Sequence, residues 1–205
     1  MLRESARSGR LTPLTGVLFV VLVLVGGPLL ERSTPGASSA GAHVVAFYSA
    51  HRGRERAAAI VLALSFAAFL FFAAVLRARW RRTQEGLAGA LLAAATVVVV
   101  GESVSDGVGY ALTNAPSRLT PSSAQTLNLL SNDLVLTSAI GFLAFGIVAG
   151  LAILRGVGLP RWLGWAAIVI GVLFVVPPLE FAGFFLLLVW IAIVAVRGFR
   201  DQAIV

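Results

Sequence analysis

The chain has 205 residues, of which 59% are hydrophobic and 12% charged, and its mean hydropathy is +0.94. That balance leaves too little polar surface to cover a water-soluble globule, so lipid is the solvent for most of the chain, and the length leaves no room for a separate soluble module. The net charge of +7 comes with sixteen basic residues, all Arg, clustered beside apolar runs; they read as topology determinants rather than a nucleic-acid surface, and the absence of Cys excludes disulfides, thiolate nucleophiles and Cys-based metal sites.

The first apolar run, 13–30, follows Arg3, Arg7 and Arg10 and approaches the ~17–25 residues that a helix needs to cross the hydrocarbon core. It is expected to be the first span; a secretory signal cleaved near Ala37-Ser38-Ser39-Ala40 is the alternative. After a Ser-, Pro- and Gly-rich turn, residues 42–51 bring Val44, Val45, Phe47 and Tyr48 together at helical spacing, which predicts a short interfacial helix. The charged stretch Arg52-Gly53-Arg54-Glu55-Arg56 introduces the second span, 57–76, closed by Arg77, Arg79, Arg81 and Arg82 around Trp80. A third span over 86–113 carries Glu102, Ser105, Asp106, Gly107 and Gly109 in its second half.

Thr120 followed by Pro121 predicts an N-cap with Pro at the first helical position, opening a helix that runs to Leu154. At 1.5 Å per residue it is about 50 Å long, so its polar first turns, with Gln125, Asn128 and Asn132, project outward, and the span is expected over about 130–154. Pro177-Pro178 then divides the last apolar stretch into a hairpin of two spans, 162–177 and 180–197. With the amino end inside, Arg3, Arg7, Arg10, Arg77, Arg79, Arg81, Arg82, Arg155, Arg161, Arg197 and Arg200 are cytoplasmic, against Arg32, Arg52, Arg54, Arg56 and Arg118 outside. The expectation is an all-α, polytopic transmembrane bundle of about six spans in the cytoplasmic membrane, both ends inside. No repeat of fixed period is present. Gly146 and Gly150 form a GxxxG pair, and Gly164 and Gly171 line one side of the next span, which predicts close packing within the bundle.

Glu102 and Asp106 are four residues apart, so they share a helical face, with Tyr110 a turn further on. The same topology brings Asn132, Asp133, Thr137 and Glu180 to a similar depth. Ionisable groups within a span face the bundle interior or a wet cavity, because lipid exposure near the bilayer centre costs at least ~2.5–3.5 kcal/mol each. Three roles are open: a pocket that shares a proton or binds a cation or amine; carboxylates paired with Arg52, Arg54, Arg56 or Arg118; or wet interfacial caps. His43 and His51 are eight residues apart and, with a carboxylate, form a weak candidate zinc pair, but no HExxH spacing supports it. Neither a GxSxG elbow nor a P-loop occurs.

The passages VVAFYSAHRGRERAAA before the second span, LNLLSNDLVL entering the fourth, and LPRWLGWAAIVIGVLFVVPPLEFAGF through the last hairpin resemble an uncharacterised actinobacterial family of integral membrane proteins. The resemblance implies a six-helix bundle and carries over no activity and no site residues. The expected function is therefore non-enzymatic: an outer-leaflet polar pocket for a small ligand, lipid head group or ion, or contact with a membrane partner protein, with a cation among the possible partners. No cofactor and no nucleic acid are expected. The alternatives are a small secondary transporter with Gly101, Gly107 and Gly109 as hinges, and an intramembrane metal-dependent hydrolase using His43, His51 and nearby carboxylates.

Overall fold

The computed structural model describes residues 14–30 and 34–200, with side chains through residue 197. Among the described residues there is no strand, and the chain forms a membrane helical bundle. Its helices are α1 (Leu14–Leu30), α2 (Gly41–Trp80), α3 (Glu85–Asn114), α4 (Pro121–Asp133), α5 (Val135–Leu154), α6 (Arg161–Leu173) and α7 (Glu180–Arg200). By length and composition α2, α3, the α4–α5 pair and α7 are long and apolar enough to cross a membrane, whereas α1 and α6 are shorter apolar helices.

The separate interfacial helix expected over 42–51 does not form, because α2 is one helix of 40 residues, roughly 60 Å long. Nothing in Arg52-Gly53-Arg54-Glu55-Arg56 breaks a helix: it lacks Pro, and a single Gly costs only about 1 kcal/mol. Continuing the helix also satisfies the charges. Glu55, only 4% exposed, pairs with Arg54 at 3.1 Å, and Arg52 donates to the Asn114 carbonyl at the end of α3. Val44 and Tyr48 of the same stretch pack with Leu112 and Ala124 into a small apolar cluster, distinct from the main core. This cluster caps one end of the bundle.

Thr120 does cap α4: its Oγ1 accepts from the Ser123 amide at 3.2 Å, with Pro121 in the first turn. The expected helix to Leu154 is present over Pro121–Leu154, with a one-residue turn at Leu134 whose backbone stays in the right-handed helical region (φ −65°, ψ −15°). The turn follows Ser131 and Asn132, whose side chains bond to backbone carbonyls. Asn132 Nδ2 donates to the Asn128 carbonyl at 2.8 Å, and Ser131 Oγ donates across to the Ser105 carbonyl at 3.3 Å. At the other end of the chain, α6 stops at Leu173, short of the expected residue 177, and the turn before α7 contains a cis Pro177–Pro178 bond.

Small residues set the spacing of the bundle. A Cβ on Gly101 would sit 2.8 Å from the Ser138 amide nitrogen, and one on Gly141 2.7 Å from that of Val98, so α3 and α5 touch backbone to backbone. The GxxxG pair meets α6: a Cβ on Gly146 would lie 2.5 Å from the Ala167 carbonyl oxygen, and one on Gly150 2.6 Å from that of Gly164. Around these contacts lies a core of aromatic rings, including Phe69 with Phe145 (centroids 5.1 Å apart) and Phe142 stacked on Phe174 (4.2 Å). Trp190 of α7 donates its indole N–H to the Leu163 carbonyl at 2.9 Å, anchoring the last hairpin.

Gly146→Val is expected to destabilise the protein by about 1–3 kcal/mol or more through overpacking against α6. Gly89→Ala, at a helical position with open space around it, should stabilise by about 0.5–1 kcal/mol. Unfolding in detergent, followed by circular dichroism, distinguishes the two; equal effects would contradict the packing described.

Candidate ligand-binding site

At the end of the bundle opposite Arg77–Arg82, the helices separate around a cavity of about 580 Å³. Its α3 wall is the stripe Glu102, Ser105, Asp106, Gly109, Tyr110 and Thr113, which alternating steps of three and one place on a single helical face. From α2 come Tyr48, Glu55, Ala59, Leu62 and Phe66, also one face of a continuous helix. Asn128, Ser131, Asn132 and Ser138 face inward from α4 and α5. Across from this polar side stand the end of α1, at Leu24, Gly27 and Pro28, and the aromatic start of α7, at Phe181, Phe184 and Phe185, with Phe142 and Phe174 below.

The polar wall is tied together by hydrogen bonds that cross between helices. Ser105 Oγ donates to the Ser131 carbonyl at 2.8 Å and Ser131 Oγ returns a bond to the Ser105 carbonyl, so α3 and α4 are joined reciprocally. Asn128, buried to 1% exposure, donates to the Gly36 carbonyl at 2.9 Å and fixes the segment that leads into α2. Ser138 Oγ donates to the Val135 carbonyl at 2.9 Å and lies beside the half-buried Glu102 carboxyl. Arg56 donates to the Tyr110 hydroxyl at 3.2 Å, with its guanidinium carbon 5.7 Å from the ring centroid. The Arg52–Arg56 cluster is thus engaged: Arg52 with a backbone carbonyl, Arg54 with Glu55, and Arg56 with Tyr110.

Five of the residues expected to form a site converge here: Glu102, Asp106, Tyr110, Asn132 and Glu180 all line the cavity. Glu180 does so from the first turn of α7, where the helix dipole favours a carboxylate. Asp133 and Thr137 are exposed and stand outside it. So does the His pair. His43 is exposed, while His51 shares a hydrogen bond with the Phe47 carbonyl at 3.0 Å and rests on the Phe47 ring. Among the described residues no group of three His, Asp or Glu is arranged to hold a metal ion. Tyr48, Glu55 and Asn128 were missed in the sequence, because they become cavity residues only when α2 is unbroken and α4 folds back against it.

The glycines considered as hinges do not interrupt α3, which is helical from Glu85 to Asn114. Gly101 is a packing residue against α5, Gly107 has open space around it, and Gly109 faces Ser131 Oγ at the edge of the cavity. No known protein family, curated protein or solved structure matches this chain.

Tyr110→Phe, which keeps the ring under the Arg56 guanidinium but removes the hydroxyl acceptor, should cost about 0.5–1.5 kcal/mol. Tyr110→Ala should cost more, because the ring contact goes as well. Equal stabilities of the unaltered protein and both variants in thermal unfolding would show that the Arg56 contact contributes nothing.

Proposed function

We propose that this is a non-enzymatic binding protein of the cytoplasmic membrane, with its cavity in the outer half of the bilayer and open to a small amphipathic ligand. The observation that carries this reading is the cavity itself. At about 580 Å³ it falls within the ~300–1,000 Å³ typical of small-molecule sites, and it opposes a wall of carboxyl, hydroxyl and amide groups to a wall of phenyl rings. A ligand with one polar and one apolar end satisfies both sides; a bare ion or a wholly apolar molecule satisfies one.

The topology proposed is six spans with both ends inside, in which α1 and α6 cross beside the four longer helices. Support comes from the Arg distribution, eleven against five, although Arg52, Arg54 and Arg56 then lie outside. Their engagement by Asn114, Glu55 and Tyr110 offers a reason for that exception, since charges with local partners serve the cap. The carrier reading is weaker because α3 offers no unwound segment, and the hydrolase reading because neither His reaches the cavity.

A chain without Cys permits direct tests. Thr83→Cys should react with a membrane-impermeant maleimide only in inside-out vesicles, and Ser117→Cys only in right-side-out cells; the reverse pattern would invert the topology. Native mass spectrometry of the purified protein should show a retained small amphipathic molecule. Ala59→Phe, which fills the cavity from α2, should reduce that occupancy at least tenfold without loss of helicity. Identical retention in the filled variant would rule out the cavity as the binding site.

A further inference from the structure

The charges around the cavity run opposite to those of the chain. Sixteen basic residues outnumber nine acidic ones overall, yet the described residues that line the cavity include four carboxylates, Glu55, Glu102, Asp106 and Glu180, and no Arg or His. Arg54 balances Glu55. Arg56 stands behind Tyr110, its guanidinium turned to the phenol rather than to the cavity. A phosphate or carboxylate in this space would meet like charge, with only amide and hydroxyl donors to hold it, whereas a cation would meet opposite charge and aromatic faces.

The apolar side of the cavity also has a direction. Near the Arg77–Arg82 end, α1 and α7 are in contact, since a Cβ on Gly16 would lie 2.9 Å from the Ala195 Cβ. Toward the other end both helices line the cavity. There Leu24, Phe181 and Phe185 line the cavity and remain 41%, 71% and 52% exposed, so the cavity is not closed over at these side chains. A gap edged by large apolar side chains on a lipid-facing surface admits hydrocarbon in preference to a hydrated solute.

Resting on the binding function proposed above, we infer that the ligand is a lipophilic organic cation: a single ammonium group on an apolar chain, which reaches the cavity from the bilayer between the outer ends of α1 and α7. Its ammonium sits between Glu102 and Asp106, within reach of the hydroxyls of Ser105 and Ser138. Its chain lies along Phe181, Phe184 and Phe185. Glu180, at the mouth, meets the cation first.

The charge of the head group is the variable to test. Dodecylammonium, dodecanol and dodecanoate are titrated into the full-length protein in a neutral maltoside detergent, with binding read by calorimetry. The expected result is that dodecylammonium binds at least tenfold more tightly than the other two. In Glu102→Gln/Asp106→Asn its affinity should fall to that of dodecanol, while dodecanol itself is unaffected. Comparable binding of all three to the unaltered protein would overturn the cation inference and leave the amphiphile site standing. Binding of none of them would remove both. The charge series on the unaltered protein decides the matter even if the double variant misfolds. Competition by phosphatidylethanolamine at equal concentration would assign the ammonium to a lipid head group; failure of that lipid to compete would assign it to a free amine.

Discussion

The arrangement depends on α5 touching two neighbours backbone to backbone. Gly141 and Gly101 bring α5 against α3, and Gly146 and Gly150 bring it against α6, so both contacts replace side-chain interdigitation with direct main-chain approach. In lipid, the apolar surface of a helix gains little by leaving hydrocarbon for another helix, and close van der Waals contact becomes the main source of association. Small residues therefore set where each helix must stand. The larger rings of Phe69, Phe142, Phe145 and Phe174 fill the space that remains.

The cavity begins where this close approach ends. Gly101 and Ser138 are the last tight contact between α3 and α5 before the polar stripe of α3 takes over, and Glu102 is the next residue along. Beyond it α4 joins α3 through the reciprocal Ser105–Ser131 hydroxyl-to-carbonyl bonds, while its first residue, Pro121, meets Gly41 of α2 backbone to backbone. The polar groups that precede the turn at Leu134 also line the cavity. Ser131 and Asn132 do both.

Much of the bundle is legible in the sequence because hydropathy, proline and arginine mark the ends of spans without reference to neighbours. Thr120-Pro121, the Pro177-Pro178 turn and the GxxxG pair each act locally, and each is found where its chemistry predicts. The α3 carboxylates are legible for the same reason, since Glu102, Asp106 and Tyr110 share a face of one helix. Tyr48 and Glu55 were not, because a charged stretch between apolar runs reads as a loop until its partners are known. Arg54, Asn114 and Tyr110 supply those partners, two of them from a different helix. Asp133 shows the converse: depth along the membrane follows from residue count, but the direction a side chain faces depends on the turn at Leu134, a tertiary matter.

The contact between Gly16 and Ala195 joins helices from opposite ends of the chain. During synthesis α1 is made first, and α7 follows on the order of tens of seconds later at usual elongation rates. Before that α1 lies against α2, through Phe19 on Phe69 and Gly26 beside Leu62, and the α7 rings of the cavity are not yet present. The rings of α7 are thus the last part of the cavity lining to be made, and the cavity is complete only when the final helix packs.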